Sequence, residues 1–177
     1  MRRVVGLALA AALVVLLLPE FPRYRAERRV GYATNAFRAL LDRASDPETA
    51  NNIRTVGALA LSSVGSLPGD PRPWMLVGSS FLVTGQAERA LEFYREAFAT
   101  GERAEVDLNL GRAYGMLRRG ESERAAYVRA GWVNPDILAA LPEAARTPAQ
   151  TEIARLAALL VEGKLDAPPP LPSEERR

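Results

Sequence analysis

Side chains able to do covalent or acid–base chemistry are sparse in this chain, and none has a companion. There is no histidine and no cysteine, so the commonest general base and the commonest metal ligand are both missing. Zinc sites of the Cys and His type cannot be assembled, nor can a Ser–His or Cys–His nucleophile pair. Ser62, Ser63, Ser79 and Ser80 have no base beside them, and the single lysine, Lys164, stands at the edge of a proline-rich tail. Carboxylates are plentiful but alternate with arginine at helical spacing, as in Glu88, Arg89, Glu92, Arg95 and Glu96. That pattern is a solvated helix face, each pair worth roughly a few tenths of a kcal/mol. No glycine-rich phosphate loop is present. The residues predict a protein that is not an enzyme, with no metal and no cofactor.

The more ordered signal is a recurrence of structural residues. Trp74 opens the run W-M-L-V-G-S-S-F, which contains Gly78 and Phe81 and is followed by Ala90, Tyr94 and Ala97. Leu110, Gly111, Arg112, Ala113 and Tyr114 repeat the motif, followed by Tyr127, Ala130 and Pro135. The interval from Gly78 to Gly111 equals that from Phe81 to Tyr114. Three positions break the match, and the turn Arg118-Arg119-Gly120 places its glycine two residues late. Asp107 stands where an aromatic residue is due, Glu102 where a proline is due, and Glu123 where an alanine is due.

This segment, residues 72–135, resembles two tetratricopeptide (TPR) repeats, helical hairpins with a period of about 34 residues. The resemblance implies an all-α short solenoid. Gly78 and Gly111 would let the first helix of a hairpin approach the second. Trp74, Phe81, Ala90, Tyr94, Tyr114 and Tyr127 would be packing residues. TPR proteins bind peptides or partner helices in a groove lined by their first helices. Carried over position by position, that groove comprises Arg72, Met75, Ser79, Leu82 and Val83, then Glu105, Leu108, Arg112, Gly115 and Met116. Met-containing grooves accommodate varied apolar ligands. The alternative is that Leu82, Val83 and Met116 pack against the protein's own helices. The clamp with which some TPR proteins hold a C-terminal carboxylate is matched only by Asn109 and Arg112.

Charge argues against nucleic acid as a partner. Residues 1–30 hold six arginines and two glutamates, while the remainder carries a small acidic excess within a net charge of +2. A nucleic-acid binder needs its basic face on the folded domain. Here the basic excess flanks the apolar N-terminus.

Residues 4–18 form an unbroken apolar run after Arg2 and Arg3, ending at Pro19. Fifteen helical residues rise about 22 Å against a hydrocarbon core of about 30 Å. The run has signal-peptide length but lacks small residues at a cleavage position beyond it. The expectation is an uncleaved signal anchor, a transmembrane helix over residues 1–22. Phe21 and Tyr24 would sit at the interface. The alternatives are a cleaved signal peptide or a core helix. Arginine flanks both ends, so orientation is finely balanced. The expected location is the bacterial inner membrane with the soluble part periplasmic, the cytoplasmic face being the alternative.

After the anchor, Pro19 and Pro22 predict a break. A basic juxtamembrane stretch and a helical pair should occupy 23–65, with Phe37, Leu40, Leu41 and Ala44 on one face. Asp46 and Pro47 mark a helix start, burying Ile53, Val56 and Ala60 behind it. Repeat helices are expected at about 74–84, 87–99, 103–118 and 121–131, with the repeat region closing near 140. Thr147 to Gln150 has the form of a capping box opening a last helix over 147–162. The proline-rich tail, 163–177, is expected to be disordered. Two hairpins seldom fold alone, because each buries its apolar face only against a neighbour. The flanking helices must cover them, or a partner or second copy must. The sequence therefore predicts a protein-binding adaptor held at a membrane. A structural accessory subunit of a membrane complex is the alternative, and self-association is left open.

Overall fold

The computed structural model describes residues 15, 16, 18, 20–41, 46–165 and 169. Every regular element among them is helical. The α-helices follow in order: α1 Glu20–Leu41, α2 Pro47–Leu61, α3 Pro71–Val83, α4 Ala87–Ala99, α5 Ala104–Met116, α6 Gly120–Val133 and α7 Glu143–Val161. Two 3-10 segments join them, Val64–Ser66 and Pro135–Ala140. Each helix packs mainly on its neighbours in sequence, with α3 against α4 and α5 against α6 as the closest pairs.

Local chemistry sets the boundaries. Asp46 caps α2, its carboxylate accepting from the Thr49 amide at 3.2 Å and the Thr49 hydroxyl at 2.9 Å. Asp70 caps α3 in the same way, accepting from the Arg72 amide at 2.9 Å. Each is followed by proline at the first helical position, where the missing N–H removes no helix bond. The same tolerance overturns the expected break at Pro22. Helix α1 begins at Glu20 and carries Pro22 in its first turn.

The expected helix start at Thr147 is also corrected. Helix α7 begins at Glu143, after Pro142, and runs through Pro148. An interior proline costs about 3 kcal/mol. Burial of Ala149 and Leu156 against α6, with Ala145 and Ile153 alongside, keeps the helix intact.

The two central hairpins turn alike, at the spacing of the sequence repeat. The Gln86 amide donates to the Phe81 carbonyl at 2.8 Å, and the Arg119 amide to Tyr114 at 3.0 Å. Gly85 donates to Leu82, and Arg118 to Gly115, both at 3.0 Å. The residue between α3 and α4 that takes positive φ is Gly85, at 80°; its counterpart between α5 and α6 is Arg118, at 57°. Arginine thus occupies a left-handed position that favours glycine.

Core clusters run along the row of helices. Ala33 and Phe37 of α1 meet Ile53, Val56 and Ala60 of α2 and Leu76 and Val77 of α3. Leu91 and Tyr94 of α4 meet Val106, Leu110 and Tyr114 of α5. Leu108, Tyr127 and Val128 meet Leu138, Leu141 and Leu156. Packing is continuous across positions 65 and 140. Among the described residues no helix is long and apolar enough to cross a membrane. The apolar run 4–18 lies outside the described residues, apart from Val15, Leu16 and Leu18, which are exposed. Ala44, expected on the inner face of the first helix, also lies outside them, as does the tail beyond Leu165 save for Pro169.

Candidate functional site

Close approach within each hairpin rests on a glycine facing a tyrosine. A Cβ built on Gly78 would lie 2.6 Å from Tyr94 Cε1, and one on Gly111 would fall on the Tyr127 ring. Tyr94 and Tyr114 are fully buried and Tyr127 nearly so. Burial pushes the Tyr94 phenol up to about 12, against the opposing pull of the Ser79 hydrogen bond and the Arg112 charge. Burial and the Glu123 carboxylate push Tyr127 up to about 12, again opposed by Arg112. Trp74 is half-buried and stacks on Phe93 with centroids 6.2 Å apart; Phe93 stacks on Phe81 at 5.3 Å. The Arg89 guanidinium covers the Phe81 ring at 4.2 Å. Ala90 is buried beneath them.

The ten side chains expected to line a groove on α3 and α5 meet different fates. Met75, Ser79 and Leu82 are half-buried; Met75 and Leu82 pack against the α4–α5 core cluster with part of their surface left open, and the Ser79 hydroxyl meets the Tyr94 hydroxyl at 3.1 Å. Glu105 and Met116 are exposed, Met116 by half of its surface. Gly115 lies under the Glu123 carboxylate. Three expectations, for Arg72, Val83 and Leu108, are corrected, and a fourth residue, Arg112, is exposed as expected but engaged. Arg72 is not free to orient a ligand. It pairs with Asp70 at 2.6 Å and with Glu27 of α1 at 2.8 Å, tying α1 to α3. Its partnership outweighs the effect of burial on Asp70 and holds that carboxyl below its ordinary value. Val83 packs into the cluster shared by α1, α2 and α3. Leu108 is buried against Leu138 and Leu141. Arg112 is exposed, but it bonds Asn109 at 3.2 Å and the Ala140 carbonyl at 3.4 Å. The 3-10 segment Pro135–Ala140 therefore closes part of the α5 face, and Arg146 holds its end through the Leu141 carbonyl at 2.6 Å.

The three departures from the repeat pattern all have partners. Glu102 and Asp107 converge on Arg129 of α6. Arg129 Nη2 reaches Glu102 Oε2 at 2.7 Å, and the buried Asp107 lies within its electrostatic reach. The Glu102 hydrogen bond, aided by both negative charges, raises the Arg129 pKa above its ordinary value. Glu123 interacts with the Tyr127 hydroxyl. Sequence reading missed Arg129, whose partners lie a whole hairpin helix earlier in the chain. Two acids standing where the repeat calls for other residues were the signal.

A wide depression of 830 Å³ lies between α6 and α7, lined by Val128, Leu156, Pro148 and charged rims. Pro169 of the tail is buried in it, its carbonyl accepting from Arg129 Nη1. Among the described residues no group of three or more acids is placed to hold a metal ion. Comparison of the chain with family models, with curated proteins and with solved structures finds no match.

Proposed function

We propose that this protein is a TPR-like adaptor, anchored in the bacterial inner membrane by residues 4–18, that recruits a protein partner through the open part of its α3–α5 face. The observation that carries the reading is the pair of hairpins with matching turn bonds and matching glycine–tyrosine contacts, one repeat apart. Such stacked hairpins are a binding architecture in which function resides in surface side chains. Glu105, Arg112 and Met116, with the open parts of the half-buried Met75, Ser79 and Leu82, form the surface left available. Anchoring raises the effective concentration of a membrane partner, so modest affinity suffices. The soluble part is read as periplasmic. Nucleic acid has no part in this reading, and neither has catalysis.

Closure of the α5 face by the protein's own Leu138 and Leu141 favours a second reading, a structural accessory subunit of a membrane complex. Co-purification from detergent-solubilised membranes separates the two. An adaptor is released from its partner by a salt wash, whereas a subunit stays at fixed stoichiometry. Recovery of the protein alone after in-membrane crosslinking would contradict both.

A further inference from the structure

Helix α1 has two unlike faces. Ala26, Val30, Ala33 and Phe37 are buried against the rest of the fold. Half a helical turn away, Phe21, Tyr24, Arg28 and Tyr32 recur at i, i+3, i+7 and i+11. This second face is open: Phe21 is 58% exposed, Tyr24 58% and Tyr32 69%. Three large rings left in water on one face need a reason, because isolated exposed apolar side chains are ordinary but aligned ones mark contact surfaces. Arg25 and Arg29 flank the stripe, and the Arg25 guanidinium lies 5.7 Å from the Phe21 ring centroid. With Leu59 of α2 these residues border a shallow depression of 450 Å³. Of the two acids of α1, Glu20 stands one turn before Tyr24 at the N-terminal end of the stripe, and Glu27 is engaged by Arg72 on the other flank.

Rings interleaved with arginines, with a carboxylate only at the N-terminal end of the stripe, have the composition of a membrane-surface helix. The rings enter the headgroup boundary and the guanidinium groups meet phosphate oxygens. We infer that the Phe21–Tyr24–Arg28–Tyr32 face of α1 lies along the membrane surface and takes anionic phospholipid headgroups. The inference rests on the membrane attachment proposed above but adds a separate contact. Between Glu20 and Tyr32 helix α1 rises about 18 Å. A helix standing away from the bilayer would carry Tyr32 well into water; one lying flat keeps it at the lipid. The positive charge selects an anionic surface, and continuity with the apolar run selects a lipid over an acidic protein. The contact would fix how the hairpins stand relative to the membrane.

The chain has no cysteine, so Tyr32→Cys in the full-length protein takes a single environment-sensitive fluorophore. Asn51→Cys, exposed on α2, serves as the control. Protein is reconstituted in phosphatidylcholine vesicles with and without phosphatidylglycerol, and flotation is recorded alongside. The expected result is a blue-shifted label at position 32, protected from an aqueous quencher, in the anionic vesicles only. Replacing Arg25, Arg28 and Arg29 by Glu should lower the partition of that segment by about 100-fold or more, and raised salt should release it. The label at position 51 should stay aqueous. A position-32 label that is aqueous in both vesicles, or equally protected in both, overturns the inference. So does protection that requires polyglutamate rather than vesicles. Loss of flotation with neutral vesicles alone would instead remove the anchor and leave the stripe standing.

Discussion

At Gly111 two effects oppose each other. Alanine is a better helix former than glycine by about 1 kcal/mol, but its Cβ would fall on the Tyr127 ring. Overpacking of that kind costs typically about 1–3 kcal/mol, and the ring is held by its buried surroundings. Gly111→Ala should therefore lower the melting temperature, and Gly78→Ala should do the same through Tyr94. Arg118→Gly has the opposite sign. A left-handed non-glycine residue costs about 1–2 kcal/mol, and its removal outweighs the added freedom of the unfolded chain, so thermal melts should show stabilisation. Two of the buried phenols, Tyr94 and Tyr127, set a pH limit. Each ionises near 10 in the unfolded chain and near 12 in the fold. The unfolded chain thus holds fewer protons in that window, and stability falls as pH rises from about 10 to about 12. Phenolate absorbance and helical circular dichroism should change together there. Tyr94→Phe should remove part of that dependence and, through the lost Ser79 contact, about 0.5–1.5 kcal/mol of stability.

The elements were legible in the sequence where capping and periodicity agreed, and less so where tertiary burial decided. Asp46-Pro47 announced α2, and the four hairpin helices fell within a few residues of their expected bounds. Pro148 misled, because a proline just before a periodic run reads as a start, while burial of Ala149 and Leu156 carries α7 straight through it. The surface was harder to read than the hairpins. Leu108 sits at a groove position of the repeat pattern, and only the short Pro135–Ala140 segment, folding back with Leu138 and Leu141, makes it core. Nothing in the spacing of those residues announces the contact. Leu108→Ala should consequently destabilise by about 2–5 kcal/mol. Arg112→Glu, exposed on the same helix, should change the melting temperature little. Equal, small effects in denaturant titrations would mean that the 3-10 segment does not cover α5.

On the scale of the whole molecule, the function proposed here gives the row of helices a membrane-proximal end and a partner-facing middle. Helix α1 meets the bilayer in the reading given above, and the Arg72 pairing with Glu27 fixes α3 to it. The Glu102–Arg129–Asp107 cluster braces the hairpins at the other end, where Pro169 also docks. What remains available between them is the α3–α5 face, with Met116 as its most exposed apolar side chain. In the function proposed above, this face, and not the charged outer face of α4, holds the partner. Site-specific photocrosslinking in intact cells tests it. A photoreactive residue is placed at Met116 in one strain and at Glu92, exposed on α4, in another, with abundance checked in both. One discrete crosslinked species is expected from position 116 and none from position 92. Adducts from position 92 with none from position 116 would contradict it.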